Sequence, residues 1–227
     1  MKRFTAMLSV LVFTVVSCLC INILFSGKSM PSNSVHMSRK TVVIDAGHGG
    51  IDVGTIGIDN TNEKDINLQI ALKLYDYLMF SGINSILIRD GDYEFYKNGE
   101  TRNRSDLYNR FDYINSIENS VLISIHQNHF SDEREHGTQI WYSGNREESK
   151  VLADNILSDV KTFLQPNNER ENKQSDNSYY LLYNAKVPSI MIECGFMSNA
   201  EENKKLQDEN YQKSFSFCIL TGISGEV

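Results

Sequence analysis

Val42-Val43-Ile44-Asp45-Ala46-Gly47-His48-Gly49-Gly50 is the stretch on which the reading of this chain turns. With Thr41 before it, the run opens on four mostly apolar residues, which predicts a buried strand over 41–45. It then breaks into three glycines around one histidine, His48. A strand that ends in a Gly-rich turn fixes a side chain in space and lets backbone and substrate come close. A lone histidine there is most simply a hydrogen-bonded loop residue. It becomes a candidate metal ligand only if other strands deliver partners to the same edge.

Outward from that stretch, residues 51–62 form a loop rich in Gly and Asn, and Glu63 opens a helical pattern. Ile66, Ile70, Leu74 and Leu78 recur every fourth residue and predict one buried stripe, ended by Ser81-Gly82, with Asn62 as N-cap. Asn84 to Arg89 alternates as a strand. Residues 103–118 carry Leu107, Phe111, Ile114 and Ile117 at helical spacing. Val121 to Ile125 is a strand that runs into His126, and Gly137 to Tyr142 is another. Residues 147–164 predict a helix with Leu152, Ile156, Val160 and Phe163 inside, followed by a polar loop over 166–177. Tyr179 to Tyr183 is apolar without a clear period. Pro188 to Glu193 is a strand that Gly195 is expected to stop, and a last helix over 208–222 buries Tyr211, Phe215, Cys218 and Ile219. Strands alternating with helices predict a single α/β domain. Its central sheet is mostly parallel, of about five or six strands, with helices on both faces.

The ends of the chain differ in character. Lys2 and Arg3 precede 24 uncharged residues, Phe4 to Gly27, and then Lys28. A helix of that length, at ~1.5 Å per residue, spans a ~30 Å hydrocarbon core. Residues 1–28 therefore read as an N-terminal signal-anchor or signal peptide, 29–39 as a linker, and 40–227 as the folded domain, placed outside the cytoplasm. The net charge is −7 and the first 39 residues carry +4, which leaves −11 on the rest. So acidic a domain excludes a nucleic-acid partner, since phosphate contacts need a basic surface. Cys194 and Cys218 are the two cysteines of the domain, and they read as buried free thiols.

The chemistry converges at strand ends. His48 follows the first strand, His126 ends the third and Glu193 ends the fifth, and ligands of open α/β sheets bind at such carboxyl ends. Two imidazoles and a carboxylate with an open fourth position make the donor set of a hydrolytic zinc site. Glu63, at a helix start nearby, is a fourth candidate, and on spacing alone so are Asp45, Asp52 and Asp65. His129 and His136 read as surface or groove residues, and His36 as linker.

Four segments carry a resemblance. They are Ile44-Asp45-Ala46-Gly47-His48-Gly49-Gly50, Asn62-Glu63-Lys64-Asp65-Ile66-Asn67-Leu68, Ser124-Ile125-His126-Gln127-Asn128, and Ile192-Glu193-Cys194-Gly195-Phe196-Met197-Ser198-Asn199. In this order they resemble the zinc-dependent N-acetylmuramoyl-L-alanine amidases of the Amidase_3 family. A small domain behind a membrane segment, with no wall-binding repeat, is most similar to the sporulation cortex type of spore-forming bacteria. The resemblance implies one zinc ion per chain, held by His48, Glu63 and His126, with Glu193 as the catalytic carboxylate. It implies that Asn128 lines the site, and because a ligating histidine needs a partner for its other ring nitrogen, Asp45 is expected to orient His48. Arg89 and Arg110 match less diagnostic family positions. Gln127 and His129 depart from the small residues frequent there, which bears on the shape of the groove. The implied substrate is the peptidoglycan glycan strand with its stem peptide, cut at the amide between N-acetylmuramic acid and L-alanine. Only 66 residues separate His126 from Glu193. That leaves no room for the blocking helix of some larger members, so control is expected from outside, an accessory or activating protein included. A zinc peptidase cutting another peptidoglycan amide, or a non-catalytic wall-binding protein on the same fold, are the alternatives.

Overall fold

Nine residues of β3 (Ser120–Asn128) and eight of β6 (Ser189–Phe196) pair in parallel at the centre of a six-stranded sheet. The computed structural model describes residues 40–96 and 106–227. The other strands are β1 (Thr41–Ala46), β2 (Ser85–Leu87), β4 (Gln139–Tyr142) and β5 (Lys173–Gln174), in spatial order β2-β1-β3-β6-β4-β5. β1, β2, β3 and β6 are mutually parallel, whereas β4 runs antiparallel to β6 and takes β5 with it. The helices are α1 (Glu63–Phe80), α2 (Asp106–Ser116), α3 (Glu147–Phe163), α4 (Tyr180–Asn184), α5 (Ala200–Leu206) and α6 (Glu209–Ile223). The signal-anchor reading of 1–28 and the linker reading of 29–39 lie outside the described residues. Among the described residues no helix is long and apolar enough to cross a membrane.

Strand side chains alternate between faces, and here the alternation sorts apolar from chemical residues. Val42, Ile44 and Ala46 of β1, Val121, Ile123 and Ile125 of β3, Ile190, Ile192 and Cys194 of β6, and Ile140 of β4 point to one face. They meet the α1 stripe of Ile66, Ile70, Leu74 and Leu78 and the inner faces of α3 and α6 in the larger core. Each fully buried Ile or Leu there contributes ~1.5–3 kcal/mol of transfer free energy. The opposite face holds a smaller core of Val43, Ile88, Ile114, Leu122 and Leu181 under α2 and α4. Asp45, Ser124, His126 and Glu193 project from the middle of that face, and Met191 and Trp141 lie toward its β4 side.

The structure departs from expectation in several places. Phe163 and Leu107 are exposed, at 72% and 41%, because the stripes they extend have already left the core. Gly195 does not stop its strand: β6 runs on to Phe196, paired with Asn128 beyond a register shift in β3. Asn62 has the extended backbone of an N-cap, but its side chain makes no capping hydrogen bond. The polar loop contains β5, the apolar piece at 179–183 is largely the short helix α4, and a separate helix, α5, precedes α6. Cys194 and Cys218 are free and buried, with Cys194 on the sheet face opposite Glu193.

Candidate metal centre

The turn after β1 is built before any ligand reaches it. His48 itself sits at φ 63°, a left-handed backbone that non-glycine residues seldom adopt. Two buried arginines hold it there. Arg110 donates to the carbonyls of Ala46 (2.8 Å) and His48 (2.6 Å), and Arg89 to those of Ala46 (2.8 Å) and Gly47 (3.0 Å). Asn67 adds a second donor on Gly47 O at 3.1 Å. A backbone this well tied can carry strain that a free loop would relax.

Glu63, the first residue of α1, brings its carboxylate under the turn and is 3% exposed. Its Oε2 accepts from Thr55 N (2.8 Å), and its Oε1 accepts from Gln127 N (2.9 Å) and Asn67 Nδ2 (3.2 Å). Oε2 lies 3.3 Å from His48 Nε2, and Oε1 lies 3.1 Å from His126 Nδ1. The two imidazoles meet edge to face, with centroids 4.9 Å apart. One donor atom from each of the three residues lies within 4.8 Å of the others. Burial works against the Glu63 carboxylate, yet hydrogen bonds and charge from His126 and His48 outweigh it and hold the group well below the usual range. Burial likewise opposes the His48 imidazolium, but Glu63 and Asp52 push it up to about 9. A cluster this attractive to positive charge suits a cation. In a tetrahedral zinc site with bonds of ~2.0–2.1 Å, adjacent donors stand ~3.3 Å apart. Each His–Glu contact is close to that edge, through a different oxygen of Glu63, and the three donor atoms lie within 4.8 Å of one another, so a donor set of two imidazoles and a carboxylate fits the metal.

Two glycines make the approach possible. A Cβ on Gly47 would lie 2.2 Å from His126 Nε2, and one on Gly54 would lie 2.7 Å from both Glu63 Oε2 and His48 Cδ2. These glycines give room to the ligand side chains themselves.

Glu193 enters from β6, in register with His126 on β3. Its Oε2 is sealed from solvent and has no hydrogen-bond partner among the described residues. Burial raises its pKa, His126 opposes, Glu63 adds to the rise, and the group comes to about 7. An unpaired carboxylate oxygen sealed from solvent beside a candidate metal cluster is costly for stability and useful as a proton acceptor.

The expected supporting residues fall differently. Asp45 does not reach His48. Its carboxylate pairs with Arg110 Nη1 and accepts from Ser124 Oγ at 2.7 Å. Burial would raise its pKa, but the Arg110 charge prevails and keeps it ionised. The partner of His48 is Asp52, whose Oδ2 lies 2.8 Å from Nδ1 and whose Oδ1 accepts from Gly54 N. Asn128 caps its own turn, accepting from His129 N, and is not in the lining of the adjacent cleft. Gln127 points into the larger core and donates to Asn67, which removes it from the groove, while His129 and His136 are exposed. Sequence spacing offers Asp52 as a ligand candidate, and the family positions of Arg89 and Arg110 carry no role, whereas the structure sets Asp52 on His48 and both arginines on the backbone of the turn. Nothing in local spacing marks these contacts, because their partners lie on other elements or across a loop.

Beside the cluster opens a cleft of about 560 Å3, lined by His48, His126, Asp52, Glu94, Tyr96 and Arg110 among others. The N-acetylmuramoyl-L-alanine amidase family model, Amidase_3, matches residues 42–225. The chain is 33% identical over 194 residues to the germination-specific N-acetylmuramoyl-L-alanine amidase of Bacillus subtilis, covering 84% of this chain and 81% of that protein. The CwlD amidase of Clostridioides difficile, solved in complex with the GerS lipoprotein, superposes with a TM-score of 0.76 at 39% identity, over 82% of this chain and 98% of that one. The amidase AmiC2 of Nostoc punctiforme gives 0.71 at 26% identity, over 82% and 96%. The chain belongs to the Amidase_3 family of N-acetylmuramoyl-L-alanine amidases.

Proposed function

We propose that this amidase is zinc-dependent, with His48, Glu63 and His126 as ligands and Glu193 as the catalytic carboxylate. It acts on the peptidoglycan amide between the lactyl group of N-acetylmuramic acid and L-alanine. The observation that carries the reading is the convergence of two imidazoles on one buried carboxylate at 3.1 and 3.3 Å, with a second, unpaired carboxylate one strand away. Zinc held there supplies Lewis-acid polarisation of the scissile carbonyl and a water acidic enough to react near neutral pH. The chain supplies the rest. Glu193, free of any hydrogen bond that would hold it, takes the proton of the attacking water and delivers it to the leaving amine of L-alanine. Asp52 fixes the ring of His48 through Nδ1, leaving Nε2 for the metal. Arg110 and Arg89 keep the His48 turn from relaxing.

The test is Glu193→Gln. Release of stem peptides from peptidoglycan is abolished while zinc stays near one per chain. Loss of zinc with that change makes Glu193 a ligand and overturns the assignment. Mass spectrometry of the digest separates the amidase from a zinc peptidase, because only the amidase leaves free lactyl carboxylates on muramic acid. A wall-binding protein without catalysis releases nothing.

The same proposal places the enzyme outside the cytoplasm, in maturation of the spore cortex. Similarity to a germination-specific amidase and to CwlD supports this. CwlD was solved with a lipoprotein bound, which supports an accessory protein for this chain too. If the purified chain is fully active and fully zinc-loaded alone, the accessory role falls.

A further inference from the structure

β4 carries a second chemical feature onto the face that bears Glu193. Gln139 and Trp141 project there, opposite their register partners Glu193 and Met191, while Ile140 between them enters the larger core. Trp141 is only partly covered. Tyr179 stacks on it, with ring centroids 4.5 Å apart and planes inclined by 29°. Lys173, its register partner on β5, brings Nζ to 5.3 Å from the indole centroid. Tyr179 stands near enough to Glu193 to feel its charge: burial first, and then Glu193, push the phenol up to about 12. Among the described residues, neither the indole N–H nor the phenol hydroxyl has a hydrogen-bond partner. Both side chains are half-exposed, so these donors are satisfied by solvent or by a ligand rather than by the protein.

The strand order lays the parts out in a row. The cleft and His48 belong to the β1 side, His126 and Glu193 to the middle, and Trp141 and Lys173 to the β4–β5 side. The scissile amide joins a sugar to a peptide, so the two halves of the substrate must leave the metal in different directions. The cleft, with Asp52, Glu94 and Arg110, offers charges suited to an ionised peptide. Stacked rings edged by free donors and an ammonium suit a pyranose, whose C–H face is apolar and whose rim carries hydroxyl and acetamide oxygens. We infer that Trp141, Tyr179 and Lys173 form a glycan subsite that seats an N-acetylated hexosamine ring of the glycan strand while the stem peptide occupies the cleft. This rests on the amidase reading above.

Trp141 is the sole tryptophan of the chain, so its emission reports on this site alone. The probe is peptide-stripped glycan, alternating N-acetylglucosamine and N-acetylmuramic acid, titrated into the full chain. A saturable change in emission is expected, weakened in Tyr179→Ala and in the exposed Lys173→Ala. Trp141→Ala is expected to raise KM for peptidoglycan about tenfold with kcat nearly unchanged, the loss of roughly one stacked contact. Should that variant fold poorly, Lys173→Ala supplies the same KM-against-kcat comparison. Emission that ignores the glycan in an enzyme that releases peptides overturns the subsite. So does emission that responds to free stem peptide instead. Binding needs no turnover: saturable glycan binding by a chain that releases no peptide supports the subsite and refutes the amidase reading separately.

Discussion

Gly47→Ala is a one-carbon change that tests how the metal cluster is built. The new methyl would stand 2.2 Å from Nε2, 2.3 Å from Cε1 and 2.7 Å from Cδ2 of His126. Carbon contacts are comfortable at ~3.5–4.0 Å, so the ring has to retreat by more than about 1 Å. It cannot do so and keep Nδ1 at 3.1 Å from Glu63 Oε1. The turn cannot retreat instead, because Arg89 and Asn67 hold the Gly47 carbonyl from two directions. The expected cost falls on the metal: affinity for zinc drops roughly 10–100-fold, as for disturbed ligand support generally. Activity at saturating zinc falls about 100-fold, as for a misplaced catalytic group. Competition with a chromophoric chelator gives the first number, and peptide release from peptidoglycan the second. Thermal unfolding of the metal-free chain should change little by comparison, since no core contact is lost. Unchanged zinc affinity in a folded Gly47→Ala chain refutes the placement of His126 against this turn.

Asp52→Asn is expected to lower zinc affinity about 10–100-fold while moving stability little, because Asp52 is largely exposed and acts on His48 Nδ1; chelator competition and a thermal melt read the two quantities. Asp45→Asn should do the reverse, costing ~1.5–3 kcal/mol, because the buried Arg110 loses one of its two carboxylate partners and keeps Asp106, read by denaturant unfolding. The folded pKa of Asp45 lies below its ordinary 3.8, so its stabilisation is complete above that value and is lost as pH falls through the lower one; in the Asn variant that acid-dependent part of the loss is missing. Activity should rise with pH as Glu193 loses its proton, with a midpoint between its ordinary 4.5 and about 7, since burial raises it and a bound dication draws it back; an acid limb outside that window in kcat/KM speaks against Glu193 as the base.

What the sequence made legible is what repeats locally. The α1 stripe shows because residues four apart share a helix face, and β1, β3 and β6 show because both their faces are covered over most of their length. β5 is two exposed residues, Lys173 and Gln174, whose strand conformation exists only through pairing with Trp141 and Tyr142. α4 is one turn long and is held by Tyr180 packing on Tyr108 and Phe111 of α2, contacts formed across about seventy residues. The start of α5 has a local signal: Asn199 accepts from the amides of Glu201 and Glu202, the N-cap arrangement that an Asn before two acidic residues announces. In the site, His48, His126 and Glu193 were placed by strand ends alone. Glu63 was separable from Asp45, Asp52 and Asp65 only through the family resemblance. Asp52 is four residues from its partner and Arg110 sixty-two from His48, and neither separation carries a local pattern.

The register of the sheet ties fold and site together. A strand shifted by one residue turns every side chain to the other face. Such a slip of β3 would bury His126 among the α1 contacts and aim Ile125 or Gln127 at Glu63 and the candidate metal cluster. The same slip of β6 would replace Glu193 with Ile192 or Cys194. The larger core forbids both, since Ile123, Ile125, Ile190, Ile192 and Cys194 would be expelled from it. The site face needs no packing of its own to be specified and can stay open to a glycan strand. Its chemical residues are positioned by apolar ones on the other side of the same strands. That division explains how a face with so small a core, Val43, Ile88, Ile114, Leu122 and Leu181, can hold an unpaired buried carboxylate and a strained histidine without losing its shape.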